Sequence, residues 1–381
     1  AADGHSQRIL ELVASGEAGS RSELAEVLGL APSTVGLRVQ GLLDAGLLHE
    51  GGAGKSRGGR RPRVLRVTEG QGEVLTVDLG GGHARLGRHG LSGALLESVM
   101  IPLTLADGPV PTLETVAAAL DEFHDAPIRA IGVSLPGPVN PDLGGVDQPS
   151  RMPGWQGYNV RDHLTERFGV RVAVDNDANL AALGEHRQRL GLAHHSITVK
   201  AGTAIGSGII VDGRLHHGAT SAAGDITHTR IDTDEEVPCS CGNLNCLETV
   251  ASGAGVVRQL RAVGYDVSTT EEALALARDA DVTATRLVRG AGTHLGQVLS
   301  GVVNFFNPHA VFLTGSMSSS AGKGADSGVA TNCGTTDADA TSGAAPGISA
   351  GGSSTAAATS IPASASATGC PAARASNTCT S

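Results

Sequence analysis

Apolar residues recur at helical spacing in three short stretches near the start of the chain. Ile9, Leu10 and Val13 share one face of a helix predicted over 6–14, which Gly16 closes. Leu24, Val27 and Leu28 mark a second helix, with Ser22 as the expected cap for the amides of Glu23 to Ala25 and Gly29 as the stop. Val35, Val39, Leu42 and Leu43 mark a third, opening at Pro32-Ser33-Thr34 and ending at Gly46. The tight Gly29-Leu-Ala-Pro32 turn gives the last two the proportions of a helix-turn-helix. Beyond residue 72 the apolar runs have strand length: Glu73-Val-Leu-Thr-Val-Asp78, Ala130-Ile-Gly-Val-Ser-Leu135, Val170 to Val174, Ser196-Ile-Thr-Val-Lys200 and Ile209 to Val211. They predict an α/β domain over 72–317. Most of these runs end in a polar or glycine-rich turn: Asp78-Leu-Gly-Gly-Gly82, Pro136-Gly137-Pro138, Asp175-Asn-Asp-Ala-Asn179 and Gly202-Thr-Ala-Ile-Gly-Ser-Gly208. Strand ends of that kind are expected to converge on one ligand cleft.

Charge and composition then divide the chain. The formal net charge of −10 argues against wrapping nucleic acid over the whole surface, so any DNA contact must be local. The stretch from Gly51 to Val67 reverses the sign, with Lys55, Arg57, Arg60, Arg61, Arg63 and Arg66 and no acidic residue. It follows the third helix and leads into the alternating Val64-Leu-Arg-Val67, and so reads as the wing of a winged helix-turn-helix over residues 1–70. In that reading Ser33, Thr34, Arg38 and Gln40 face a major groove, while Arg57, Arg60, Arg61 and Arg63 meet phosphates or the adjacent minor groove. The alternative is a helical interaction module with a solvated basic linker. From Ser318 to Ser381 there is no Leu and no aromatic residue, and Ala, Ser, Thr and Gly dominate. Such a tail buries too little apolar surface to order itself, and its abrupt start reads as a replaced ending. No run of about 18 apolar residues and no secretory signal is readable, which predicts a cytoplasmic protein without a membrane span.

The sharpest chemical pattern is His228, ten residues, then Cys239-Ser-Cys241-Gly-Asn-Leu-Asn-Cys246. Three thiolates and one imidazole complete a tetrahedral shell for structural Zn²⁺. Three reduced, buried cysteines beside an unrelated histidine, or a disulfide, are the alternatives; the odd number of cysteines here favours the metal.

Together with Gly224-Asp-Ile-Thr-His228, Cys246-Leu-Glu248 and Asp175-Asn-Asp-Ala-Asn179, this signature resembles the ROK family of repressors, open reading frames and sugar kinases, within the actin-like ATPase superfamily. The resemblance runs from about Gln7 to Met317, and the preceding winged helix is similar to that of the family's regulators of sugar metabolism. It implies a sugar or sugar derivative bound by Gly137, Asn176, Asp177, Asp225, His228 and Glu248, with Asp177 as the base in kinase members. It also implies a homodimer or higher oligomer acting on operator DNA. Several positions depart from the kinase pattern: Gly82-His83 in the first phosphate loop, Ala204 in the second, and Thr314-Gly315 where the adenosine side has a glycine pair. Asp225, Thr227 and Asn245 stand where the family has Glu, Gly and Gly. ATP and Mg²⁺ are therefore expected to bind poorly or not at all, which favours a sugar-responsive repressor over a sugar kinase or a partly folded product.

Overall fold

The computed structural model describes residues 4–53, 63–147, 152–188, 194–233, 235–318 and 330–331. Three helices, α1 (Gly4–Ser15), α2 (Arg21–Leu28) and α3 (Pro32–Asp44), precede an antiparallel hairpin of β1 (Leu48–Ala53) and β2 (Arg63–Val67). Ile9, Leu12, Leu24, Val35, Val39 and Leu65 are fully or almost fully buried together, so the predicted apolar faces form one small core. Gly29 takes a left-handed conformation and donates to the carbonyls of Ala25 and Glu26, ending α2 as expected. The cap at its start is different. Ser20, not Ser22, accepts the Glu23 amide, so α2 begins one residue before the predicted cap. A side chain can reach the third amide of a helix only from the residue just outside it.

Two five-stranded sheets follow. In the first, β3 (Glu73–Leu79), β4 (His83–Gly90), β5 (Leu95–Pro102), β6 (Ile128–Leu135) and β9 (Arg171–Asn176) lie in the order β5-β4-β3-β6-β9. Between β6 and β9 come the small hairpin β7 (Val139–Asn140) and β8 (Gly145–Val146) and helix α5 (Val160–Phe168); α4 (Pro109–Glu122) precedes β6. The second sheet has the order β12-β11-β10-β13-β14, built from β10 (Ser196–Ala201), β11 (Ile205–Val211), β12 (Arg214–Leu215), β13 (Ala310–Thr314) and β14 (Ala330–Thr331). Each sheet contains the same unit, an antiparallel hairpin whose first strand also pairs in parallel with a later strand: β3-β4 with β6, and β10-β11 with β13. This duplicated α/β plan is the actin-like architecture expected for 72–317.

Helix α6 (Asp177–Gln188) leaves β9 and lies across β10 and β11, while α7 (Leu247–Ala251), α8 (Gly253–Ala262), α9 (Thr270–Arg278) and α10 (Val282–Phe306) build the rest of the second core. The approach of α6 to β11 explains two glycines assigned above to a ligand turn. A Cβ on Gly208 would stand 2.6 Å from the Ala178 carbonyl and 2.8 Å from the Ala182 Cβ, and one on Gly206 would stand 3.0 Å from the Ala178 Cβ. These glycines admit a helix rather than a phosphate. In the low-complexity segment, Ala330 and Thr331 pair with Val311 and Ala310, so composition alone understated its structure at that point; apart from Ser318, its other residues lie outside the described ones.

Replacing Gly208 with Ala forces α6 off the strand and should destabilise the fold by about 1–3 kcal/mol, the usual range for overpacking. Urea unfolding measures this directly, and an unchanged midpoint would show that α6 has room to move away.

Candidate functional site

Asn176 joins three elements at the end of the first sheet. Its Nδ2 donates to the Gly137 carbonyl at 2.8 Å, and its Oδ1 accepts from the amides of Ala178 at 2.9 Å and Asn179 at 3.2 Å, capping α6. Gly137 sits at φ +85°, a backbone state that other residues rarely adopt. Next along the chain, Asp177 accepts the Ala178 amide on Oδ1 at 2.8 Å and the Lys200 ammonium on Oδ2 at 2.6 Å. Asp175 is as fully engaged: Oδ1 accepts from the Asn176 amide and Asn179 Nδ2, and Oδ2 lies 2.7 Å from His217 Nε2. The Asp78 carboxylate accepts the Ser134 hydroxyl at 2.7 Å. Gly137, Asn176 and Asp177 are thus brought together as predicted.

Thr227 links the remaining predicted residues to β11. Its hydroxyl donates to the Ile205 carbonyl, its amide to Asp225 Oδ1, and its carbonyl accepts the Glu248 amide, each at 3.0 Å. Glu248 is buried, and its Oε2 accepts the Ile205 amide at 2.9 Å; Asp225 and His228 are exposed. Lys200 and His217 were missed by the sequence reading. A lysine near the end of the otherwise buried strand Ser196–Ala201 was a usable signal, because an ammonium is seldom placed there without a carboxylate. His217 lies in an aperiodic loop and carried none.

Beside this cleft, one ligand atom from each of His228, Cys239, Cys241 and Cys246 lies within 4.8 Å of all the others. His228 Nδ1 is 3.6 Å from Cys239 Sγ, and Cys241 Sγ is 3.6 Å from Cys246 Sγ. Two sulfurs on one tetrahedral metal at 2.3 Å bonds stand about 3.8 Å apart, so the set fits a four-coordinate ion. Asn245 occupies a left-handed position at φ +58° and its Oδ1 accepts the Val237 amide at 2.6 Å, which is how asparagine replaces a glycine in this loop. Burial pushes the Cys246 thiol up to about 12, whereas the hydrogen bond from the Asn243 backbone holds Cys241 below its ordinary value. A metal entering here meets the thiolate of Cys241 more readily and displaces the proton of Cys246.

In the helix-turn-helix unit, Ser33, Thr34 and Gln40 are exposed along α3 and Arg38 is half-buried. Gln40 Nε2 donates to Asp44 Oδ1 at 2.8 Å. Leu37, which the sequence reading passed over, is 71% exposed on the same helix, and an apolar side chain there can meet a thymine methyl. At the base of the wing, Glu50 receives Arg63 and, at 2.7 Å, Arg21. The Arg63 hydrogen bond, then that of Arg21, holds the Glu50 carboxyl below its usual range. Arg57, Arg60 and Arg61 lie outside the described residues.

The ROK family model matches residues 74–324, about two thirds of the chain, and a helix-turn-helix domain model matches residues 1–51. The chain belongs to the ROK family. It is 32% identical over 320 residues to the DNA-binding transcriptional dual regulator NagC of Escherichia coli, covering 78% of this chain and 76% of that one. It is 31% identical over 264 residues to a glucokinase of Halalkalibacterium halodurans, covering 64% and 79%. A crystal structure of a ROK family transcriptional regulator, a homologue of the Escherichia coli MLC protein, superimposes with a TM-score of 0.65 at 27% identity, covering 81% of this chain and 82% of that chain.

Three contacts bear on the positions where a kinase member would take a nucleotide and a base. The carbonyls of Gly202 and Thr203 accept the Gly253 and Ala254 amides, and Thr203 Oγ1 lies 3.2 Å from Thr270 Oγ1, so the second loop is tied to α8 and its neighbours. Gly315 packs so closely on β10 that a Cβ would stand 2.4 Å from the Ala201 carbonyl. Lys200 already holds the carboxylate that a kinase would use as base. No helix among the described residues is long and apolar enough to cross a membrane.

Asn176→Ala removes the α6 cap and should cost about 1 kcal/mol, while Asn176→Asp keeps the cap and loses only the bond to Gly137. Thermal unfolding of the two variants should therefore differ, with Ala the less stable; equal losses would mean that the cap contributes nothing.

Proposed function

We propose that this ROK protein is a sugar-responsive transcriptional repressor. The observation that carries the reading is one chain that joins a helix-turn-helix unit to a ROK domain in which Lys200 holds Asp177, the would-be base. Operator DNA takes α3 in the major groove through Ser33, Thr34, Arg38 and Gln40, and Arg57, Arg60, Arg61 and Arg63 neutralise phosphates. Two such units in a homodimer read two half-sites. A sugar lies against Gly137, Asn176, Asp177, Asp225, His228 and Glu248, most of which offer acceptors to its hydroxyl donors. Zn²⁺ on His228, Cys239, Cys241 and Cys246 serves structure. Coordination through Nδ1 fixes the proton of His228 on Nε2, where it can donate to the sugar.

Helix α6 supplies the link between cleft and DNA. It starts at Asp177 in the cleft, and ten residues later Arg187 grips Glu11 of α1 with two bonds, at 2.9 and 3.1 Å. That span is about 15 Å of helix. Its flank at Leu180, Leu183, Gly184 and Arg187 borders a cleft of about 630 Å³ against β3 and β4, so the far half of the helix has room to tilt while its first turns stay seated on β11. Sugar binding that favours one position of α6 moves α1 with it.

A second reading, an ATP-dependent sugar kinase using Asp177 as base, is favoured by the intact Asn176-Asp177 pair and the glucokinase relative. One experiment separates them: a sugar panel titrated by calorimetry, with operator binding and ATP turnover followed in parallel. The regulator binds a sugar and changes its operator affinity without turnover; turnover at ordinary kinase rates would establish the kinase.

Further outcomes follow for the variants. Arg60→Ala with Arg61→Ala should weaken binding to every duplex and flatten its salt dependence, whereas Arg38→Ala should alter sequence preference. Glu11→Ala should leave sugar affinity intact and reduce the effect of sugar on operator affinity. Cys241→Ser should lose the zinc found by metal analysis and loosen the segment that carries Glu248.

A further inference from the structure

Lys200 stands next to the last residue of β10, and its side chain is one-third exposed. Its ammonium donates to Asp177 Oδ2, and Asp78, at the end of β3, adds a second negative charge to its surroundings. Burial works against the ammonium. The charge of Asp177, the hydrogen bond to it and the charge of Asp78 outweigh that effect, and the lysine is held above its ordinary value. The group therefore stays charged at every pH up to and beyond that value. Of the acidic groups nearby, Asp175 is already engaged by His217, and Glu248 receives the Ile205 amide; Arg171 of β9, Glu73 of β3, and Glu185, His186 and Arg187 of α6 lie on the same elements farther along.

We propose that Lys200 is a positioning residue that holds Asp177 as a fixed, ionised acceptor and supplies the positive charge that Asp177 and Asp78 would otherwise draw from a divalent cation. The proposal builds on the regulator reading, because it explains how a kinase fold binds a hydroxyl without activating it. To take up a hydroxyl proton, Asp177 would have to surrender a charge-assisted bond to an ammonium, among the stronger hydrogen bonds available in a protein. Left paired, the carboxylate can still accept a hydroxyl hydrogen on its remaining lone pairs. A magnesium ion meets a further obstacle: it would enter beside a cation that is covalently part of the chain and cannot diffuse away.

The chain has three lysines, Lys55, Lys200 and Lys323, so competitive acetylation of the full protein, read by peptide mass spectrometry, reports Lys200 against two internal references. Lys200 is expected to react at least about tenfold more slowly than the other two, a difference equivalent to one pKa unit, and millimolar magnesium chloride should not change this. In Asp177→Asn the protection should disappear. Equal reactivity in the parent, acceleration by magnesium, or full protection in a folded Asp177→Asn would each overturn the proposal. In a Lys200→Met variant, Mn²⁺ followed by electron paramagnetic resonance should bind at least about tenfold more tightly than in the parent, because two carboxylates lose their counter-charge. Unchanged Mn²⁺ affinity would remove the cation half of the idea. Neither measurement uses sugar or DNA, so failure here leaves the regulator reading standing, and failure of that reading leaves these results intact.

Discussion

The contact on which the rest of the α/β domain depends is the direct seating of α6 on β11. With any side chain at Gly206 or Gly208 the helix would stand farther out, and its first turn would leave the end of the first sheet. Because it lies close, Asn176 can cap the helix while bonding to Gly137, and Asp177 arrives within 2.6 Å of Lys200 on the neighbouring strand. One close approach therefore unites residues from the turn after β6, from β9, from α6 and from β10. The neutral bonds of Asn176 contribute about 1 kcal/mol each, and only the Asp177–Lys200 bond is a charge-assisted ion pair. Their common geometry is what positions the carboxylate.

The parts of this arrangement that could be read in the sequence are those fixed by local chemistry. The helix-turn-helix follows from apolar spacing and Gly29, and the four metal ligands follow from a short loop whose donors are unusual residues. Asn176 and Asp177 were legible because polar residues directly after an apolar strand mark a strand end. Long-range pairings were not. Lys200 meets Asp177 across 23 positions and His217 meets Asp175 across 42, distances at which no local periodicity carries information. The glycines of β11 show a different failure. A glycine-rich turn can serve a ligand or admit a helix, and only the fold decides. The misplaced cap of α2 is smaller in kind, because Ser20 and Ser22 are chemically equal and two residues apart.

The metal centre and the cleft are mechanically one region. Cys246 is the residue from which α7 starts, and Glu248 follows two positions later, with its amide bonded to Thr227 and its carboxylate to Ile205. A bound ion at Cys246 and His228 would fix two positions close to Glu248 and Thr227, both of which bond to Ile205 of β11. The Cys246 thiol, pushed up to about 12 by burial, is poorly suited to remain charged without an ion. Its position beside His228, Cys239 and Cys241 is compatible with coordination, and a structural metal stabilises only the state that presents all ligands together.

Charge separates this cleft from a phosphoryl-transfer site more decisively than loss of any single glycine does. Transfer needs a carboxylate able to receive a proton and cations that gather around the phosphate as the bond breaks. Here the carboxylate Asp177 already has a cationic partner, the carbonyls of Gly202 and Thr203 are spent on α8, and the turn at Gly315 is packed onto β10. The first of these engages the carboxylate that catalysis would use while leaving hydroxyl acceptors in place, and the other two tie the loops into the fold. Helix α6 also spans the chain mechanically: it starts at Asp177, and its far end, through Arg187 and Glu11, touches α1 of the helix-turn-helix unit. A partly exposed ion pair of this kind adds little stability, so its contribution is a defined contact between α6 and α1 rather than strength.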